Sequence, residues 1–493
     1  MTDADLIESL DAHAEWLLFR ETGRSFPLDR DEVVVESSET KTLIGFVDDK
    51  GYHSRRLLNA SEGDGEIVLE IVGAFGKERE TLRLIPRVSA RELTAAIELA
   101  RLNIANEIAS LIESSFAGAK LGRVALNVDG GRIAQIQFTS ADRIRSAAVA
   151  DVTTKIDAET LLVSAILWLE KLSSRKKDPV LSIHIIAEKR RSRELQKLQA
   201  LLTDKWKSKI VIVAIERATE PIRLALLPIR RISELWREKA RKLVLPSTAY
   251  PSAAAQKIIA RSIGAIDVIS TKQGETFRFH GLQFARVRTV LGRQRTWFGT
   301  RRVRTPLFNE SVAHYDQLLS ELDLYRSFES PNNRHEYYRA APEAWLESIL
   351  RRDISLLDAN LIVSPIYNQF RSASEKIDLL ALRRDGRLVV IEVKTNPDRN
   401  MVFQAADYWR RIELQRRRGL LADANLFGGR EILDEAALVY LVAPAWSFHA
   451  DYEFFASMIA SEIEIWRFEL HENWRQKIRV VGRLNQADGL TQR

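Results

Sequence analysis

The run Leu388-Val389-Val390-Ile391-Glu392-Val393-Lys394 is aliphatic except for two charges, and an Asp385-Gly386 turn separates it from a second apolar run, Ile377-Asp378-Leu379-Leu380-Ala381-Leu382. Asp-Gly between two β-rich runs is a strong hairpin signal. Residues two apart on a strand share a face, so Glu392 and Lys394 project together while Ile391 and Val393 pack on the other side. Across the hairpin, Asp378 falls near Glu392. Two carboxylates and an ammonium at the end of nearly continuous apolar strands cost free energy if unpaired. Such a cluster needs a chemical reason.

Phosphodiester hydrolysis supplies one. Hard oxygen ligands suit Mg²⁺ or Mn²⁺, which polarise phosphoryl oxygens and lower the pKa of a bound water. Lys394 can orient that water or stabilise charge that develops at phosphorus. A lone E-x-K triplet carries little in a chain that is 29% charged. Here it comes in a set: the helical stretch Pro342 to Leu350, with Glu343 and Glu347 on one face; Asp378; Glu392-Val393-Lys394 fourteen positions later; then Gln404-Ala405-Ala406-Asp407-Tyr408, whose Gln404 and Tyr408 also share a helix face.

This set resembles the PD-(D/E)xK nuclease superfamily of restriction-enzyme-like and RecB-like folds. The resemblance implies that Asp378 and Glu392 bind the divalent metal and that Lys394 assists catalysis. It also implies a further metal-site Glu on the preceding helix, Glu347 first and Glu343 second, and a Q-x-x-x-Y motif at Gln404 and Tyr408. It covers roughly the last 150 residues and implies an αβββαβ core. The first Asp lacks the family's preceding Pro. Glu375-Lys376 reads as a structural ion pair, Asp398 and Arg399 as a solvated turn and helix start, and Trp446, Tyr452, Phe454, Phe455 and Trp466 as core.

Upstream, Leu6, Leu10, Ala14, Leu17 and Leu18 predict a helix from Asp3 to Thr22, and β-branched runs between Glu32 and Pro86 predict a small β-rich unit. Ser89-x-x-Glu92 opens a long helical pattern as a capping box. After it, Asp129-Gly130-Gly131 splits a hairpin, and helical and strand patterns alternate to Ile215. No repeat recurs at a fixed period. Even so, the order of long helix, hairpin, helix and strand matches the C-terminal core, and this block reads either as a second copy of that core, inactive because the strand Ile133 to Phe138 lacks E-x-K, or as a sensor or partner-binding domain. Pro221, Pro228, Pro246 and Pro251 mark the junction to a stretch of seven arginines without an acid: Arg286, Arg288, Arg293, Arg295, Arg301, Arg302 and Arg304. Guanidinium groups grip phosphate and the interleaved Trp297 and Phe298 stack on bases. The alternative is a strand pair whose arginines cover apolar surface.

The resulting expectation is an α/β multi-domain chain: 1–88, a helix and β-rich unit; 89–220, α/β; 221–335, a linker and arginine-rich segment; 336–493, the nuclease-like domain. With 493 residues, Lys plus Arg at 74 against Asp plus Glu at 67, and no cysteine, disulfides, thiolate catalysis and cysteine-held zinc are excluded, and a polyanionic partner is allowed. Gly73-Ala74-Phe75-Gly76-Lys77-Glu78 is too short for a phosphate loop, no H-E-x-x-H occurs, and His184 reads as a satisfied core residue. An acidic N-terminus and the lack of a long apolar run predict a cytoplasmic protein without membrane contact. The expected function is a divalent-metal-dependent DNA endonuclease, with a restriction or antiphage role in view and room for a homo-oligomer. The alternative is a binding protein on a nuclease fold that does not cut.

Overall fold

The computed structural model describes the chain apart from residues 21–24, 39–40, 49–50, 64, 73–78, 88–89, 141–143, 154, 177–178, 218–220, 241–250, 263–265, 272–273, 291–292, 301–303, 364–377 and 487–493; at 38, 48, 90–93, 271, 290 and 293 it describes the backbone alone. The described residues form a mixed α/β protein with thirteen helices and four sheets. Two compact units result, residues 1–103 with 301–304, and the rest.

In the first unit, α1 (Asp3–Asp11) starts at a capping box in which the Asp5 N–H donates to Thr2 Oγ1 and the Thr2 N–H donates to Asp5 Oδ2. The predicted helix to Thr22 is corrected: Glu15–Arg20 forms β1. Burial of Trp16 and Leu18 beside an exposed Glu15 follows the two-residue strand period, and partners on both sides satisfy the backbone. Strands β2 (Ser25–Asp29), β3 (Val34–Ser38), β4 (Lys41–Asp48), β5 (Gly51–Gly63), β6 (Glu66–Val72) and β7 (Arg79–Pro86) complete a sheet in the order β2-β1-β7-β6-β5-β4-β3. Its core gathers Leu6, Leu10, Trp16, Phe46, Leu69 and Leu84.

Helix α2 (Ala90–Ser115) leads into the second unit; the expected capping box at Ser89 lies outside the described residues. A middle half follows: β8 (Lys120–Leu126), β9 (Ile133–Thr139), β10 (Arg145–Asp151), α3 (Ala158–Ser173), β11 (Ile183–Glu188), α4 (Lys189–Ala200), α5 (Asp204–Lys207), β12 (Ile210–Glu216) and β13 (Arg223–Leu226). Helices α6 (Ile232–Leu235) and α7 (Ala253–Arg261) then reach a five-stranded antiparallel sheet, β14 (Ile266–Thr271), β15 (Gly274–Phe279), β16 (Leu282–Val290), β17 (Arg293–Phe298) and β18 (Thr305–Pro306). Helices α8 (Val312–Tyr325) and α9 (Glu336–Arg339) lead to the C-terminal half: α10 (Pro342–Arg352), β19 (Leu361–Val363), β20 (Leu379–Arg383), β21 (Leu388–Val393), α11 (Met401–Arg417), α12 (Leu420–Asp423), β22 (Leu438–Pro444), α13 (Tyr452–Ala456), β23 (Ile465–Leu470) and β24 (Val480–Asn485). The expected strand from Leu361 to Phe370 is described as far as Val363, and Glu375-Lys376 lies outside the described residues.

The two halves share one topology. Each runs helix, three antiparallel strands, helix, parallel strand, helix, parallel strand, antiparallel strand, with sheet orders β13-β12-β11-β10-β9-β8 and β19-β20-β21-β22-β23-β24. The strand that corresponds to β21 is therefore β10, not the Ile133 to Phe138 strand. The halves also share one core: Leu161, Leu169 and Leu198 from α3 and α4 pack in the same cluster as Phe403, Trp409 and Phe455 from α11 and α13. At its edge Leu202 pairs with Ile459 in an isolated antiparallel bridge, where the Thr203 N–H donates to Met458 O (2.7 Å) and the Ala460 N–H donates to Leu201 O (2.9 Å). Of the aromatic side chains read as core, Tyr452 and Phe455 are buried and Phe454 and Trp466 partly so, but Trp446 is 83% exposed. His184 is half-buried, with Nδ1 3.3 Å from Ala147 O.

Arg326 ties the five-stranded sheet to α10. It is fully buried, its guanidinium lies 4.8 Å from the Trp345 ring, and it donates to the carbonyls of Phe279, His280, Tyr337, Ala340 and Ala341. The β15–β16 turn it holds passes through His280 and Gly281, both at positive φ (42° and 76°). A Cβ at Gly281 would sit 2.0 Å from Ala344 O, so only glycine allows the turn to approach α10 this closely.

Candidate active site

Strand β21 carries the centre of the site because both its faces are covered. Val389, Ile391 and Val393 pack toward α10, and Leu388 and Val390 pack toward α11. Glu392 shares the α11 face and is 2% exposed. The turn at Gly386 (φ 91°) sets the hairpin register, with Leu379 opposite Ile391, which brings Asp378 to the same end. The Val393 N–H donates to Asp378 Oδ2 at 2.9 Å.

Lys394 Nζ lies 3.1 Å from Glu392 Oε1 and 3.1 Å from Asp398 Oδ2. Burial alone would lower its pKa, but the charges of Glu392, Asp398 and Glu343 outweigh that and hold it above the usual lysine range. Glu392 behaves oppositely: burial, then the Asp378 carboxylate, push its pKa well above the ordinary value against the pull of Lys394. Glu392 Oε2 has no hydrogen-bond partner in its buried position. A buried carboxylate oxygen without a donor is expensive.

Of the two acids on α10, Glu347 is 1% exposed and held by Arg351 at 3.1 Å, whose Nη2 also donates to the Asp378 carbonyl at 2.9 Å. Glu343 is half-buried, and its pKa is raised by burial, with Lys394 opposing and Asp378 and Asp398 adding to the rise. Its charge therefore belongs to the Asp378–Lys394 group. On α11, Gln404 Oε1 is buried without a partner. The Tyr408 hydroxyl is pushed up by burial and by Glu392 and Asp378. Tyr408 therefore lies within electrostatic reach of Glu392 and Asp378, and Gln404 precedes it by one helical turn on α11.

Two members escaped the sequence reading. Asp398, read as part of a solvated turn, is the second partner of Lys394; four-residue spacing was the available signal. Arg351, one helical turn after Glu347, braces the Asp378 backbone. The middle half reaches the rim: Thr160 Oγ1 accepts from Asn400 Nδ2 at 2.7 Å, and Glu159, raised to about 7 by burial and then by Asp407, also feels Arg411.

Among the described residues no group of three or more His, Asp and Glu side chains is arranged to hold a metal ion. Mg²⁺, however, commonly takes one or two protein carboxylates and fills its remaining positions with water and substrate phosphate. Asp378 and Glu392, with the unpartnered Oε2, fit that donor set.

Of the arginine-rich block, Arg286, Arg288, Arg293 and Arg295 fall on β16 and β17. Arg286 opposes Trp297 and Arg288 opposes Arg295, so these four share one face. Phe277, Ala285, Val287 and Phe298 cover the other, packed with residues of α7 and α8. Arg295 is exposed; Arg286 lies 5.3 Å from the Trp297 ring; Arg288 donates to Glu275 O, Val287 O and Thr276 Oγ1. Arg293 is described by its backbone alone, Arg301 and Arg302 lie outside the described residues, and Arg304 belongs to the first unit.

No family model matches the chain, and no curated protein matches it. Among solved structures it is similar to EndoMS in its apo form, at 14% identity and a TM-score of 0.14 over 37% of this chain and 82% of that one. It is also similar to an EndoMS–dsDNA complex, at 16% identity and a TM-score of 0.15 over 39% of this chain and 87% of that one. No helix among the described residues is long and apolar enough to cross a membrane.

Proposed function

We propose that the C-terminal half is a PD-(D/E)xK-type nuclease domain and that the chain is a divalent-metal-dependent DNA endonuclease. One observation carries this reading: Glu392, buried beside Asp378 with one oxygen lacking any protein partner, next to a lysine that other acids hold charged. A buried pair of like charges with an unmet acceptor is costly as structure and suited to a dication. Asp378 and Glu392 would hold Mg²⁺ or Mn²⁺, with Glu343 rather than Glu347 as the acid on α10 that joins them, since Glu347 is engaged by Arg351. The metal when bound supplies Lewis acidity toward a phosphate oxygen and an acidified water.

The chain's own residues do the rest. Lys394 keeps its proton and donates hydrogen bonds toward the attacking water or the phosphate oxygen that gains charge. Asp398 and Glu392 fix its direction. Gln404, whose Oε1 lacks a partner, would meet the substrate backbone, and Tyr408, kept protonated, would act as a donor near Glu392 and Asp378. Restriction or antiphage defence is the biological setting we propose. Incubating the pure protein with circular, linear and single-stranded DNA in Mg²⁺, Mn²⁺ or EDTA tests the reading: cleavage with metal and none in EDTA is expected. Salt-sensitive DNA binding without cleavage on any substrate would replace it with a binding protein.

We assign phosphate contact to the Arg286–Arg288–Arg295 face. Arg295→Ala is expected to weaken DNA binding across sequences and to flatten the plot of log K against log salt by about 0.9, the slope that one guanidinium–phosphate pair contributes. An unchanged slope in a fluorescence-anisotropy salt titration would leave these arginines a structural role.

A further inference from the structure

We infer, on the strength of the nuclease reading, that one chain cuts one strand of a DNA duplex per encounter and is a nicking enzyme. The two α/β halves have the same strand order and bury the same face, that of the helices after the third and fourth strands, in one core. The Leu202–Ile459 bridge sits at corresponding places in both, directly after α4 and directly after α13, and its two hydrogen bonds are reciprocal. Reciprocal bonds belong to any antiparallel bridge, but here corresponding segments and corresponding helices of the two halves meet each other, as in a two-fold contact where residue i meets j and j meets i. The pair is thus a dimer of nuclease-like folds within a single chain.

A duplex has its own two-fold axes relating antiparallel strands, which is why two-fold proteins address both strands equivalently. Two equal sites would reach one phosphodiester on each strand. Here the sites are unequal. Strands β9 and β10 contain Asp151 as their one acid and have no lysine. Asp151 faces Ile133 across the ladder. Its carboxylate is consumed by a turn: Oδ1 accepts from the Thr153 N–H (2.7 Å) and Oγ1 (2.8 Å), and Oδ2 accepts from the Ile156 N–H (2.8 Å). Asp151 at the end of β10 thus has Ile133 opposite it and Thr153 two positions on, where Glu392 has Asp378 and Lys394. The active half therefore adds water to one phosphorus and breaks one P–O ester bond, leaving a hydroxyl end and a phosphomonoester end. The middle half holds the other strand uncut.

The test is a time course of the full-length protein on supercoiled closed-circular plasmid with Mg²⁺ or Mn²⁺, alongside Glu392→Gln. Near-complete conversion to open circles before linear DNA accumulates is the expected result. Linear DNA that rises together with open circles from the first time point would overturn the single-strand inference while leaving the nuclease reading intact. Uncut plasmid in every metal, the same as with Glu392→Gln, would remove both.

Discussion

Glu392→Gln is expected to lose metal-supported cleavage by about 10³-fold or more and to gain stability over the parent as pH rises. Burial, then Asp378, raises the Glu392 pKa in the fold. The folded chain therefore binds more protons than the unfolded one between the ordinary carboxylate range and that raised value. Stability associated with the neutral carboxyl is present below the ordinary value and is lost as pH climbs through the raised one. Glutamine has nearly the same shape and no proton to lose. The variant should match the parent in the ordinary carboxylate range and exceed it progressively as pH climbs, in EDTA. Lys394 is not orphaned by the change, because Asp398 remains 3.1 Å away. Urea melts at several pH values together with a cleavage assay check both halves. A variant that still cuts, or that is less stable at every pH, would show that the carboxylate serves the fold rather than the chemistry.

Arg326→Ala is expected to cost about 3–5 kcal/mol, because it strips charged donors from several buried carbonyls at once. Burial, with Arg475 nearby, lowers the pKa of this guanidinium to about 9, a measure of how far it has been taken from water. Its acceptors at Tyr337, Ala340 and Ala341 immediately precede Pro342 and Glu343. The loss should therefore reach the site through the start of α10 as well as unfold the small sheet. Arg326→Lys should rescue little, since one ammonium cannot span that set. A melting temperature close to the parent's for the alanine variant would contradict this account.

The meeting of Glu392 and Lys394 was legible from residue order because the strand period alone decides it. What lay beyond reach were contacts set by tertiary packing. Glu343 and Glu347 have the same spacing and helix, and the bond from Arg351 is what separates them. Asp398 looks like any turn acid until Lys394 is built beside it. At the N-terminus, apolar spacing fitted a helix and a strand equally well through Leu17 and Leu18, and pairing with β2 and β7 decided for the strand. The duplication of the α/β halves left no sequence period because each half keeps the pattern of buried faces rather than residue identities. Its order of elements was visible, whereas its correspondence of strands β10 and β21 required the ladders.

The core common to the two halves also sets a timing problem during synthesis. The last middle-half residue in it, Ile212, precedes Met401, where α11 begins, by about 190 residues, which at ribosomal speeds of about 5–20 residues per second is roughly 10–40 seconds. Throughout that interval α3 and α4 have their own sheet to pack on but lack α11 and α13. A nascent chain of this kind is most exposed to aggregation and chaperone capture before its C-terminal half exists.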